Sequence, residues 1–147
     1  MNEYLFSQLN VGIKHSFEAE VDEDKMQKFL EISGDNNPMH IDHIFAKSNG
    51  MKDRIVYGLL TSSFYSTLVG VYLPGKLALL HSIDIQFSNP VFIGDTITTT
   101  VTIKEMKDYP KDPDKFGMVY EACEVLNQNK KCVSYSEHVL LVERKKD

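Results

Sequence analysis

Fifteen consecutive residues without a charged side chain run Gly58-Leu59-Leu60-Thr61-Ser62-Ser63-Phe64-Tyr65-Ser66-Thr67-Leu68-Val69-Gly70-Val71-Tyr72. We predict that they form a helix, which ends at Leu73-Pro74-Gly75-Lys76. An uncharged helix of about 15 residues is too short to cross a bilayer, so it should be buried within the protein. Small residues along it allow other backbone to approach closely. This stretch therefore predicts a central helix on which the rest of the chain packs.

The chain after this helix has the alternating pattern of β-strands. Ile83, Ile85 and Phe87 alternate with polar residues until Asn89-Pro90 interrupts the run. Similar runs follow at residues 96–106, 117–126 and 132–142, separated by turns at 94–95 and 127–130 and by a charged loop at 107–116. Consecutive strands joined in this way predict an antiparallel sheet. One central helix and such a sheet predict an α+β fold, with a curved sheet wrapped around the helix.

The first third of the chain predicts a strand, a helix and a sharp turn. Residues 12–21 have apolar side chains spaced near period two, as in a strand. Asp22 is a good N-cap residue, and apolar residues then recur at helical spacing until Ser33-Gly34. Residues 41–54 are polar and irregular, which predicts a short helix and a loop over the core. The helix from Asp22 therefore leads directly into the turn that follows Ser33.

That turn reads Ser33-Gly34-Asp35-Asn36-Asn37-Pro38-Met39-His40 and places a carboxylate and an imidazole five positions apart. Gly34 permits a reversal of the backbone, and Pro38 fixes its own φ and moves Asn37 away from the helical region. A rigid turn can hold an acid and a base at a fixed separation, as proton transfer requires. From these residues alone, a helix C-cap followed by a solvated surface loop is an equally good interpretation.

The composition indicates one ordinary globular domain. The chain has 147 residues and a mass of 16.8 kDa, which predicts a single domain over 1–147. Its net charge of -5 argues against a nucleic-acid partner, which would call for a basic face. No apolar run approaches the roughly 20 residues that a membrane-spanning helix needs. The composition therefore favours a small-molecule partner over a nucleic acid or a membrane.

The cysteines and the N-terminus predict a cytoplasmic protein. Cys123 and Cys132 are the only cysteines, and residues 1–5 lack the basic and apolar regions of a signal peptide. Two thiols without an export signal are expected to be reduced. The group His40-Ile41-Asp42-His43 contains possible metal ligands, but no further ligand cluster completes it. We therefore expect no metal.

Three blocks of the sequence resemble the MaoC-like, R-specific enoyl-CoA hydratases of the hot dog fold. The first is the turn itself, which matches every fixed position of that family's Ser-Gly-Asp-x-Asn-Pro-x-His motif. The second is Ile55-Val56-Tyr57-Gly58-Leu59-Leu60, and the third is Phe87-Ser88-Asn89-Pro90-Val91-Phe92-Ile93-Gly94-Asp95. The likeness extends from about residue 12 to the C-terminus. It implies a hot dog domain that reversibly adds water to a trans-2-enoyl thioester.

The resemblance also assigns roles to residues. Asp35 and His40 would hold one water, with one of them removing its proton at C3 and one delivering a proton at C2. The backbone N–H of Gly58, at the N-terminus of the central helix, would stabilise the thioester oxygen as negative charge develops. The substrate-binding residues implied are Asn37, which orients the acid and base, and Tyr57, Ser63, Ser66 and Val69, which shape the pocket. No cofactor is implied, because coenzyme A or an acyl carrier belongs to the substrate, and a homodimer is implied.

Two departures from the family pattern leave alternatives open. Tyr57 stands where a histidine is common, which we interpret as a change in the pocket wall. Leu80-His81-Ser82-Ile83 replaces a small, glycine-containing segment, and His81 is either an acyl-pocket residue or a structural histidine on a strand. A non-catalytic acyl-CoA-binding subunit and a hot dog thioesterase therefore stay alternatives. The intact acid and base motif argues against the thioesterase.

Overall fold

The computed structural model describes residues 1–145; positions 146 and 147, the end of the predicted domain, lie outside the described residues. The helices are α1 (Glu23–Ser33), α2 (Pro38–Ile41), α3 (His43–Ser48) and α4 (Gly58–Thr67), which continues as a π-helical turn over Leu68–Tyr72. The strands are β1 (Lys14–Glu20), β2 (Ala78–Phe87), β3 (Thr96–Asp108), β4 (Phe116–Asn127) and β5 (Cys132–Glu143). Within residues 1–145, no helix is long and apolar enough to cross a membrane.

The five strands form one antiparallel sheet in the order β1-β3-β4-β5-β2. This confirms the predicted α+β arrangement of a sheet with a helix packed on it. Strand β2 begins at Ala78, five residues before the predicted run at Ile83. The reason is a change in register between Leu80 and Ser82, which interrupts the alternation that sequence periodicity detects. The segment around His81 is therefore part of an edge strand.

Alternation along the strands separates a core face from an outer face. On β4 the side chains of Val119, Glu121, Cys123 and Val125 are buried, whereas the intervening residues are partly or fully exposed. The core forms where this face meets α4 and the π-helical turn. Its fully buried members with the largest side chains include Tyr65, Leu68, Leu73, Ile97, Ile103 and Leu140.

Helix α4 is only half covered, which corrects the prediction of a fully buried helix. Leu60, Thr61 and Tyr65 face the core, but Leu59 is 65% exposed and Ser63 and Ser66 are also exposed. A helix presents side chains all round its axis, and a single sheet covers one side of it. Within residues 1–145, one uncharged face of α4, with Leu59, Ser63 and Ser66, therefore stays exposed.

Helix α1 has the ends predicted for it. The Asp22 carboxylate accepts from the backbone N–H of Lys25 at 2.9 Å, as an N-cap does. At the other end Gly34 adopts φ 70°, the left-handed conformation that suits glycine, and its N–H donates to the Leu30 carbonyl. The chain leaves α1 in a fixed direction, toward Asp35.

Candidate active site

The turn after α1 is held by its own side chains. The Ser33 hydroxyl donates to the Phe29 carbonyl at 2.7 Å and accepts from the Asp35 N–H at 3.1 Å. Asp35 Oδ1 accepts from the Asn37 N–H at 3.1 Å, and Asn37 Oδ1 accepts from the Met39 N–H at 2.9 Å. Ser33, Asp35 and Asn37 therefore each accept from the backbone N–H two residues further on, and Ser33 also bonds back to α1. The turn is a short rigid connection between α1 and α2.

Asp35 has one carboxylate oxygen in the turn and one available for chemistry. Its side chain is exposed, and Oδ1 is taken by the Asn37 N–H. Oδ2 has no hydrogen-bond partner among residues 1–145. A carboxylate oxygen in this state can accept a hydrogen bond from water or a substrate.

His40 is oriented by the backbone of the segment that leads into α4. Its Nδ1 lies 2.8 Å from the Ile55 carbonyl oxygen, which can only accept, so Nδ1 carries the hydrogen. In the neutral ring the lone pair is then on Nε2, which has no partner within residues 1–145. A histidine held in this tautomer presents a base at a fixed position.

Tyr57 connects the two ends of the turn. Its hydroxyl donates to the backbone carbonyl of Asp35 at 2.9 Å, and its ring centroid lies 4.1 Å from that of His40. The ring also packs 4.9 Å from Phe29 on α1, and the residue is only 2% exposed. Burial raises the pKa of the Tyr57 hydroxyl, with a smaller contribution from the Asp35 charge, so the group stays a neutral donor at physiological pH.

Gly58 begins α4 next to this turn. The side chains of Thr61 and Ser62 donate to the Gly58 carbonyl at 2.7 and 3.0 Å, whereas no side chain among residues 1–145 caps the N–H groups of the first turn. A Cβ at Gly58 would lie 3.0 Å from Cε1 of Phe87, which is tight for a carbon contact. Glycine therefore leaves a helix N-terminus, with its partial positive charge, open to a ligand.

A cleft of about 300 Å³ joins these elements. His40, Gly58 and Thr61 line the cleft. The other lining residues come from the segment before α4, from the end of β2 with the loop that follows, and from β5: Ile55, Val56, Phe87, Ser88, Asn89, Pro90, Val91 and Val133. The cleft is mostly apolar, and its polar groups are His40, the start of α4, and Ser88 and Asn89 on the loop after β2. It can accept an apolar chain whose polar head reaches an imidazole and a helix N-terminus.

Comparison with known proteins indicates the same family as the three sequence blocks. Residues 7–121 match the family model described as "MaoC like domain". An (R)-specific enoyl-CoA hydratase from Rhodospirillum rubrum is 34% identical over 100 residues, 68% of this chain and 69% of that protein. A 3-hydroxybutyryl-CoA dehydratase from Methylorubrum extorquens is 35% identical over 101 residues, 69% of this chain and 64% of that protein.

The chain belongs to the MaoC-like family. Among solved structures, the unliganded R-hydratase PhaJ1 from Pseudomonas aeruginosa superposes with a TM-score of 0.84 at 28% identity. The alignment covers 96% of this chain and 86% of that one. The hot dog fold and the family resemblance of the three sequence blocks are therefore confirmed.

The structure brings together only part of the residue set that the MaoC-like resemblance implies. His40 and Gly58 line the cleft, and Asp35 is tied to them through Tyr57, although it is not itself among the lining residues. Tyr57 lies behind the turn rather than in the wall of the cleft, because its hydroxyl is bonded to the Asp35 backbone. Asn37 orients the turn, as its bond to Met39 shows.

The three residues implied to shape the acyl pocket lie elsewhere in the single chain. Ser63 and Ser66 are on the exposed face of α4, and Ser63 donates to the Leu60 carbonyl at 2.6 Å. Val69 is buried in the core within the π-helical turn. Their contact with an acyl chain stays a prediction.

Thr61 and Val133 are cleft residues that the sequence analysis did not single out. Thr61 lies one helical turn after Gly58, so its spacing was a usable signal. Val133 comes from β5 and reaches the cleft only through the pairing of β5 with β2. No local pattern marks such a residue.

Proposed function

We propose that this cleft reversibly adds water to a trans-2-enoyl thioester and forms an (R)-3-hydroxyacyl thioester. The observation that carries the proposal is that His40, with its lone pair on Nε2, shares one cleft with the N-terminus of α4 at Gly58. A base and an electrostatic site for an oxyanion are two of the components that the reaction needs. The named relatives are a hydratase and a dehydratase, the two directions of one hydro-lyase reaction.

The chemistry requires one water held between Asp35 and His40. As the water oxygen bonds to C3, its proton passes to one member of the pair. The electrons of the C2–C3 double bond move toward the thioester oxygen and form an enolate. The proton is then delivered to C2 by the pair, so one water is consumed and both side chains return to their starting state.

Gly58 stabilises the enolate in this proposal. Its N–H belongs to the first turn of α4, where no side chain in the described part of the chain caps the backbone donors. Donors already oriented toward the developing charge lower the barrier without reorganisation, and removing one such donor typically costs a factor of about 10²–10³ in rate. The absence of a side chain at Gly58 lets the thioester approach the backbone.

The substrate supplies its own carrier, and we propose no separate cofactor. Coenzyme A and an acyl carrier protein both present the acyl group as a thioester. Both cysteines of the chain are free, as is usual in a reducing compartment. The free cysteines support our proposal that the protein acts in the cytoplasm. The named relatives support a role in fatty acyl metabolism.

We also propose a homodimer that forms along β2. This strand is at the edge of the sheet and exposes Leu79, Leu80 and Ile83 by 59%, 48% and 39%. An unpaired edge with apolar side chains favours pairing with a second strand. Leu59, at the start of α4, is a further exposed apolar side chain, with 65% of its surface accessible.

Incubation of the protein with crotonyl-CoA tests the activity, with loss of the enoyl absorbance and the configuration of the product as readouts. The proposal expects hydration to the (R)-3-hydroxy product. Release of free thiol without hydration would indicate a thioesterase. Saturable binding of crotonyl-CoA without either reaction, across a panel of chain lengths, would indicate a non-catalytic subunit.

A further inference from the structure

Three potential metal ligands meet in the core, away from the cleft. The side chains of Glu121 and Cys123 on β4 and His138 on β5 are buried, and their ligand atoms all lie within 4.8 Å of one another. Glu121 pairs directly with His138 across the two strands, and Cys123 is two residues further along the same face. The register between β4 and β5 therefore brings these three side chains together.

Glu121 has no hydrogen-bond partner in this core. The residue is 2% exposed, and within residues 1–145 neither of its carboxylate oxygens is bonded. A buried polar group in this state is rare and points to a ligand that satisfies it. His138 does not do so, because its Nδ1 lies 3.8 Å from Glu121 Oε2, beyond hydrogen-bond distance.

The two groups are also not an ion pair at neutral pH. Burial raises the pKa of the Glu121 carboxyl to about 8 and lowers the pKa of the His138 imidazole to about 4. With only the protein around them, both are mainly neutral.

His138 has the second hydrogen bond that metal-binding histidines commonly have. Its Nε2 lies 2.9 Å from the Ser136 hydroxyl oxygen, and its Nδ1 lies 3.3 Å from Cys123 Sγ. With Nε2–H donating to Ser136, the Nδ1 lone pair is directed at the thiol and at Glu121. An outer partner on the far nitrogen fixes the tautomer and the ring orientation that a metal needs.

We propose that Glu121, Cys123 and His138 bind one zinc-class divalent cation in the core of the sheet. A tetrahedral zinc ion with bonds of roughly 2.0–2.3 Å holds its ligand atoms about 3.3–3.6 Å apart, close to the 3.3 and 3.8 Å found here around Nδ1. A thiolate and a carboxylate offset the two positive charges. The thiol proton, and any proton on Glu121, leave to solvent as the metal binds.

The donor set selects the class of metal. A thiolate and an imidazole favour zinc over magnesium or calcium, which prefer oxygen ligands. None of the three ligands lines the cleft at His40 and Gly58. The metal would therefore brace β4 against β5, and this inference does not depend on the hydratase activity.

Metal titration of the chelator-treated full chain tests the proposal. We expect one equivalent of zinc to bind, and the unfolding midpoint to rise by roughly 5–10 °C at a hundredfold excess of zinc over its Kd. Uptake of less than a tenth of an equivalent would overturn the proposal.

Cysteine variants locate the site. Cys132→Ser removes the other thiol, which lies on β5 and contacts the Ser134 carbonyl, and should keep the full equivalent. Cys123→Ser should weaken zinc binding at least about a hundredfold. Loss of a hydrogen-bond partner behind a ligand already costs up to about that factor, and Cys123 is a ligand itself. Equal affinity in Cys123→Ser and the wild type would overturn the assignment.

Cobalt provides a readout that does not require Cys123→Ser to fold. In Cys132→Ser the only thiol is Cys123, so a thiolate-to-cobalt charge-transfer band can come from no other residue. The proposal predicts this band at one equivalent of Co²⁺. Its absence from a folded Cys132→Ser protein would overturn the proposal.

Discussion

Tyr57 holds the acid and the base of the motif in one unit, and Tyr57→Phe tests that role. The variant keeps the ring next to His40 but loses the hydrogen bond to the Asp35 carbonyl. We expect a loss of roughly tenfold in kcat with little change in KM, because the turn is displaced while the cleft is intact. The expected destabilisation is about 0.5–1.5 kcal/mol. An unchanged kcat would show that the bond does not position the turn.

Gly58→Ala tests the approach of substrate to the helix N-terminus. The added methyl would lie 3.0 Å from Phe87 Cε1 and narrow the cleft. We expect kcat/KM for crotonyl-CoA to fall at least about tenfold, whereas the unfolding midpoint changes little, because the higher helix propensity of alanine and its close contact with Phe87 act in opposite directions. Equal kcat/KM in variant and wild type would remove Gly58 from the site.

Single residues differ in how far sequence predicts them. Asp35, His40 and Gly58 belong to local motifs whose spacing is visible in the chain. The sequence predicts Tyr57 in the pocket wall, because no local pattern shows that its hydroxyl donates to the Asp35 carbonyl. The Glu121 group is assembled across two strands, so only the register reveals it, whereas the local pattern offers possible metal ligands at residues 40–43.

The N-cap of α1 predicts an acid dependence of stability. Hydrogen bonds from the Lys25 ammonium and backbone N–H hold the pKa of Asp22 below its ordinary value of 3.8. The ionised cap therefore stabilises the fold above that value, and the contribution is lost as pH falls through the lower native pKa.

Asp22→Asn separates the charge from the cap. Asparagine still accepts the Lys25 N–H, so α1 should persist. Chemical unfolding of both proteins from about pH 6 to about pH 3 should show the wild type more stable at the upper end, with the difference shrinking toward acid. A difference that does not change with pH would contradict the role of the charge.

Elements with local signals were predicted closely, and those set by packing were not. Asp22 and Gly34 mark the ends of α1 in sequence and in structure. The helix predicted over 58–72 becomes π-helical from Leu68, where Val69, Gly70 and Val71 have low helix propensity. Edge strand β2 was shortened in the prediction because its register shift removes the alternation.

At the scale of the whole molecule, the unpaired edge at β2 predicts a dimer. We expect the wild type to sediment at twice the chain mass of 16.8 kDa. The double variant Leu79→Lys/Ile83→Lys places charge on the edge and should sediment as the monomer.

Val11→Lys/Ile32→Lys is the matched control, because these apolar residues are 62% and 84% exposed but belong to the segment before β1 and to α1, not to β2. It should sediment like the wild type. A wild type that stays monomeric at all concentrations would contradict the proposed dimer. Dissociation of the control to the same extent as the β2 variant would do so as well.

The α+β class followed from the uncharged helix and the strand runs, and the hot dog fold followed from the family motifs. The strand order β1-β3-β4-β5-β2 did not follow from the sequence, because periodicity shows where strands are and not which of them pair. The open face of α4 was missed for a related reason. A charge-free helix indicates burial, but sequence does not tell whether its own chain or a second copy covers it.

The central claim is that Asp35 and His40 carry out hydration. The most direct measurement is kcat/KM for crotonyl-CoA in Asp35→Asn and His40→Ala, with Asp24→Asn and His43→Ala as matched controls that do not line the cleft. We predict losses of at least about a hundredfold for the first two variants and near wild-type rates for the controls. Full activity in either Asp35→Asn or His40→Ala, with an active wild type, would contradict the account.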